Sequence, residues 1–168
     1  EIKVDLAMDG MQRDYRDLHE HIKALDEAGL LITVDDPVDK DTEMHSLVRW
    51  QFVGGLKEEE RKAFLFRNVI NAKGRKYDLP IVVGALAANQ DIYSVGMGVP
   101  VEEIGARWEH AIANPIPPVI VDEAPCHEVI IEGADLQGEG RGIDSLPIPV
   151  STPGFDAAPT LTSTNVVT

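Results

Sequence analysis

Apolar positions near the start of the chain recur at helical spacing. Leu18, Ile22, Leu25 and Ala28 fall four, three and three apart, which predicts a helix over residues 15–29 with one apolar face. Gly29 stands where a helix end favours a left-handed residue. The run Leu30-Leu31-Ile32-Thr33-Val34 then reads as a buried strand, ended by Asp35-Asp36-Pro37. Residues 42–52 predict a second helix, with Met44, Leu47 and Val48 turned inward and Gly54-Gly55 as its stop. The charges of residues 58–62 suit a capping or solvated turn. Residues 63–69 and 79–85 read as strands, the second a near-continuous apolar run of the kind covered on both faces. A further helix over residues 101–113 is carried by Val101, Ile104, Trp108, Ala111 and Ile112. The first dozen residues hold little pattern and read as an arm.

The pattern changes after Asn114. Pro115, Pro117 and Pro118 enforce an extended segment, because proline lacks the amide hydrogen a helix needs. Val119-Ile120-Val121 and Val129-Ile130-Ile131 read as short strands, separated from Leu146-Pro147-Ile148-Pro149 by a glycine-rich loop over residues 133–142. Residues 160–168 are rich in β-branched side chains and predict a strand that stops without a turn signal, so the natural chain is expected to continue. Helix–strand alternation followed by strands alone predicts two units: an α/β (α+β) domain over residues 1–114 and the beginning of a β domain over residues 115–168.

Composition narrows the function classes. The 43% apolar share supports a packed core, and the longest apolar runs are far too short to span a bilayer. One cysteine, Cys126, excludes an internal disulfide and fits a reducing cytoplasm. Fifteen basic against 29 acidic residues give a net charge of −14, which argues against nucleic acid and anionic membranes as partners, since both are bound by neutralising phosphate.

Little chemistry is legible in the residues alone. His19 and His21 lie two apart on a predicted helix, so they point to different faces and read as solvated histidines. His45 and His110 each stand alone on predicted helices. Cys126 and His127 alternate across a predicted strand, so Cys126 reads as a small buried residue rather than a nucleophile. Asp39, Asp41 and Glu43 resemble a calcium loop until Met44 falls where glycine is needed and Trp50 where glutamate is needed. These carboxylates are expected to close a turn and start the next helix. The loop with Gly133, Gly138, Gly140 and Gly142 lacks the Gly-Lys-Ser/Thr ending of a phosphate loop. Arg141 in that loop could meet an anion, though a mobile surface connection is the simpler reading.

Two stretches carry a family resemblance. Asp17-Leu18 through Leu25-Asp26-Glu27-Ala28-Gly29, then residues 32–39, resemble the opening of UbiD-type decarboxylases, the 3-octaprenyl-4-hydroxybenzoate carboxy-lyase family. That family runs D-L-R-x-F, L-x-x-x-G-x-L-x-x-I and a "V-D" before an acidic helix start. Pro115-Ile116-Pro117-Pro118, Ala124-Pro125-Cys126-His127-Glu128-Val129, Gly133 and Leu146-Pro147-Ile148-Pro149 are similar to the family's proline-rich start, A-P-x-x-E-V, glycine and L-P-I-P. Residues 156–162 are similar to its D-x-G-P-x-I-T strand, and Asn68-Val69 with residues 81–84 to its F-x-N-V and P-V-x-G strands.

The resemblance implies an N-terminal α/β domain followed by a flavin-reductase-like split β-barrel. It also implies reversible decarboxylation of an aromatic or α,β-unsaturated carboxylic acid with prenylated FMN, which carries the hard chemistry. A Glu-Arg-Glu network for protons and a divalent metal, usually manganese, belong to the same implication. The family's metal-binding Asn and catalytic Arg lie in an N-x-G-x-Y-R-like segment beyond the stretch matching residues 160–168, so no residue of this sequence takes a catalytic or metal role. Thr162 aligns with a threonine that lines the flavin in some members and is the one cofactor contact carried over, although Thr164 replaces the usual glycine. The fragment itself is expected to be inactive, to bind no cofactor tightly and to form a homo-oligomer through its open strand edges. Two other readings stand beside this: a non-catalytic subunit that completes a barrel with another chain, and an unrelated ligand-binding α/β protein.

Overall fold

The computed structural model describes residues 17–124 and 127–150. Helix α1 spans Leu18–Glu27 and opens where Asp17 Oδ1 accepts the Glu20 amide at 3.0 Å. It ends where the chain turns at Gly29 with φ +69°, the left-handed backbone expected there. Strand β1 follows at Leu31–Val34, with a short β2 at Val38–Asp39 and helix α2 at Met44–Val53. A 3₁₀ turn at Glu58–Glu60 occupies the charge cluster. The single strand predicted over residues 63–69 is two strands, β3 at Ala63–Phe66 and β4 at Val69–Ile70. Strand β5 covers only Ile81–Val83, because the chain turns away at Gly84 with φ +76°. It is half-buried rather than covered on both faces. Helices α3 at Gln90–Met97 and α4 at Ile104–Ala113 complete the regular elements, the latter preceded by a 3₁₀ turn at Val101–Glu103.

The strands form two sheets. β1 and β3 pair in parallel from Leu31 opposite Ala63 to Val34 opposite Phe66, and β5 pairs antiparallel to the other side of β3. β2 and β4 form the second, smaller sheet in parallel register. β3 is thus central, and residues three apart on a strand point to opposite faces. Phe66 enters a core with Val38, Met44, Val48, Val69 and Tyr77, while Ala63 enters a second core with Leu25, Ala85, Ala88 and Ile92. α2 therefore covers one face, and α1 and α3 the other.

Polar side chains fasten the helices to the strand ends. Gln51, buried on α2, donates to the Lys62 carbonyl at 3.0 Å and accepts the Lys62 amide at 2.9 Å. Asn89 caps α3 by accepting the Ile92 amide at 2.7 Å and donates to the Arg61 carbonyl at 2.7 Å. The apolar pattern of α3 is interrupted by Ser94 and Gly96, so periodicity alone misses it. The cap residue Asn89 and the left-handed Gly98 (φ +64°) are its visible signals.

After Asn114 the described residues contain no strand. Val119-Ile120-Val121 and Val129-Ile130-Ile131, both predicted as strands, are irregular and exposed. A strand is held by a neighbour's backbone groups, and no described strand lies beside either segment. The glycine-rich loop forms two 3₁₀ turns, Gly133–Leu136 and Gly142–Ser145.

Truncating Phe66, fully buried on the central strand, to alanine is expected to cost about 3–5 kcal/mol. Gln51→Ala is expected to cost about 1–2 kcal/mol through its two lost backbone bonds. Urea unfolding followed by circular dichroism measures both, and equal losses for the two variants would contradict this ranking.

Candidate functional site

The residues that might carry chemistry are placed apart. Thr162, the expected flavin contact, and Cys126 lie outside the described residues. His19 is exposed on α1, His45 is half-buried on α2, and His110 is exposed on α4. Among the described residues, no group of three or more His, Cys, Asp or Glu side chains could hold a metal ion. The acidic stretch forms a turn, as the failed calcium spacing implies. Asp39 accepts the Asp41 amide and the Thr42 hydroxyl at 2.8 and 2.9 Å, and Glu43 accepts the Asp39 amide at 3.0 Å.

His21 corrects the reading of a solvated helix histidine. It is buried, and its Nε2 lies 2.6 Å from the Ala85 carbonyl oxygen, which ties α1 to the turn after β5. Gly96 of α3 faces the ring so closely that a Cβ there would lie 3.4 Å from His21 Cε1. Its neighbour on the helix face, Leu25, is fully buried, and that spacing was the available signal.

A groove of about 300 Å³ is lined by Glu58, Asn89, Gln90, Tyr93, Val101 and Ile104. Its central polar groups already serve the fold: Asn89 caps α3, and the Tyr93 hydroxyl accepts the Trp108 indole N–H at 2.9 Å. This leaves a groove without a reactive pair.

The strongest polar constellation joins the glycine-rich loop to the small sheet. After β4, Asn71 Oδ1 accepts the amides of Lys73 and Arg75 at 3.0 and 2.9 Å, and Gly74 (φ +80°) completes the turn. The turn presents Arg75, whose guanidinium carbon lies 4.8 Å from the Tyr77 ring centre and whose Nη1 donates to Asp144 at 2.7 Å. The same Asp144 oxygen accepts the Gly140 amide at 2.6 Å. The buried Lys40 ammonium also lies over Tyr77, at 5.7 Å, and pairs with Asp41. Arg141, the possible anion contact, faces Asp135 at 3.7 Å instead. The glycine-rich loop is thus held by its own carboxylate.

The other salient surface is apolar. Ile116, Val119, Ile120, Val129, Ile130 and Ile131 are each more than half exposed, and Ile120 reaches 96%. Single exposed apolar residues are ordinary, and these six lie close together in sequence.

A family model for the 3-octaprenyl-4-hydroxybenzoate carboxy-lyase N-terminal domain matches residues 22–112. Among solved structures, the UbiD-class enzyme HmfF from Pelotomaculum thermopropionicum, in complex with FMN, is similar with a TM-score of 0.63 and 32% identity, over 84% of this chain and 28% of that one. An evolved dimeric form of HmfF with prFMN matches with a TM-score of 0.65 and 32% identity, over 86% of this chain and 30% of that one. Vanillic acid decarboxylase from Sedimentibacter hydroxybenzoicus shares the fold at a TM-score of 0.51 and 22% identity, over 68% of this chain and 24% of that one. The chain spans less than a third of the length of these solved relatives.

The Gly140 amide and, next, the Arg75 guanidinium hold the Asp144 carboxyl below its ordinary value of 3.8. With the folded pKa lowered, the contribution to docking is present above pH 3.8 and is lost as the pH falls through the folded value. An NMR titration of Asp144 is expected to give a midpoint below 3.8 that moves up in Arg75→Gln. A midpoint at or above 3.8 in the unsubstituted chain would contradict the assignment.

Proposed function

This chain belongs to the 3-octaprenyl-4-hydroxybenzoate carboxy-lyase family through its N-terminal domain, and from that premise we propose that it is the front portion of a UbiD-type decarboxylase. The parent enzyme acts reversibly on an aromatic or α,β-unsaturated carboxylic acid. The observation that carries this reading is the family match across residues 22–112, in a fold shared with HmfF at 32% identity. Prenylated FMN supplies an electron sink for the carbon left when carbon dioxide departs, and manganese is the metal expected with it. Among the described residues no cluster could hold the metal, and the part we assign to this chain is structural. The α/β unit supports the polypeptide that holds the cofactor, with Thr162 as one edge of that pocket.

The exposed apolar run over residues 116–131 supports the second half of the proposal. Its side chains gain from burial against further polypeptide, which supports a second unit over residues 115–168, the beginning of a split barrel. The same exposed apolar surface supports homo-oligomer formation. No helix among the described residues is long and apolar enough to cross a membrane, in keeping with a cytoplasmic enzyme.

The alternative of a non-catalytic subunit predicts the same exposed surface, covered by a separate polypeptide. The two readings part at the gene: an open frame running on through an N-x-G-x-Y-R segment supports a single parent enzyme. The 168-residue chain, supplied with prenylated FMN, manganese and an aromatic acid, is expected to release no carbon dioxide, while the longer polypeptide turns over. Turnover by the chain alone would overturn the assignment. Light scattering is expected to show self-association of the chain, and a strict monomer would count against the pairing surface.

A further inference from the structure

The chain's path at Val150 is held by two separate attachments. The Val150 amide donates to the Lys40 carbonyl at 3.3 Å, immediately after β2. Pro147 is buried, and Ile148, Pro149 and Val150 are half-buried. This proline-punctuated stretch therefore lies against the N-terminal unit, in contrast to the exposed residues 116–121 and 127–131. The second attachment is Asp144, bonded to Arg75 and to Gly140.

We propose that Arg75 and Asp144 form a latch that seats residues 146–150 against the small sheet, so that Val150 is held at one fixed point beside Lys40. An isolated surface ion pair holds little, because two long side chains must be ordered for a screened attraction. This one differs in its preparation. Arg75 is held over the buried Tyr77 ring, and its side chain is only 28% exposed, so little freedom remains to be lost. Asp144 sits on the 3₁₀ turn Gly142–Ser145, and the Gly140 amide just before that turn already orients the carboxylate.

Gly140 completes the fit. Its φ of +78° is a left-handed backbone, and a Cβ there would lie 3.1 Å from Arg75 Nη2, tighter than side chains normally approach. The Arg75 fork reaches the turn because that position is a glycine. Lys40 adds a second positive charge behind the pair, and it contributes its carbonyl to Val150. Arg75 and Asp144 are positioning residues in this arrangement: they act on the seating of residues 146–150 rather than on a substrate.

Hydrogen exchange on the 168-residue chain, read at single amides by NMR, tests the latch. Asp144→Asn and Arg75→Gln are each expected to speed exchange at Gly140 and at Val150 about fivefold, the scale of an exposed ion pair. The β3 amides should keep their protection. The exchanged pair, Arg75→Asp with Asp144→Arg, is expected to restore slow exchange at Val150 but not at Gly140, whose carboxylate acceptor has moved. Unchanged Val150 exchange in Asp144→Asn would overturn the proposal. That substitution is exposed and close in shape, so it reads cleanly even if Arg75→Gln loosens the whole chain and exposes β3. Equal acceleration at β3 and Val150 in Asp144→Asn would also overturn it, since the pair would then support the fold as a whole. Neither readout depends on decarboxylation, so the latch and the enzyme assignment fail separately.

Discussion

β3 turns successive side chains to opposite faces, and each face meets a core of its own. Phe66 and the stacked Phe64 ring (5.7 Å between centres) lie toward α2, whereas Ala63 lies toward α1 and α3. A four-residue strand that serves two cores leaves no solvent side on which polar substitutions could be absorbed. Its neighbours follow from the same requirement. β1 and β5 can pair with it only in the register that sends Val34, Ile81 and Val83 to one core and Leu31 and Val82 to the other.

With so few strand residues, the helices need fastening beyond apolar contact. Gln51, Asn89 and His21 each spend a side-chain bond on the backbone at an end of the central sheet: Gln51 on Lys62, Asn89 on Arg61 and His21 on Ala85. All three are buried, and a buried polar group left without such a bond would cost more than the bond contributes. They fix helix position rather than catalyse anything.

The same unit leaves some of its surfaces filled and others open. Its inner faces are filled, the polar groups of the groove beside α3 serve capping and packing, and its glycine-rich loop is bound to its own carboxylate. Among the exposed apolar residues, those at 116–121 and 129–131 lie together in sequence. The stretch that ends at Val150 is seated against the same unit through Lys40.

Periodicity by itself determined α1, β1, α2 and α4 to within a few residues, because a helix or strand with one apolar face writes that face into neighbouring positions. The order of short motifs determined the family. The acidic turn at Asp39–Glu43 was also legible, since a missing glycine and a missing glutamate rule out a calcium loop whatever the surroundings. Only the tertiary structure decided that residues 63–69 divide between two sheets and that His21 is buried. It likewise decided that residues 119–121 and 129–131 form no strand in the described chain. Strand pairing joins residues about thirty apart here, His21 meets a carbonyl 64 positions away, and Arg75 meets a carboxylate 69 positions away. Such contacts depend on how the finished elements stack in space, and the spacing of neighbouring residues holds no record of that.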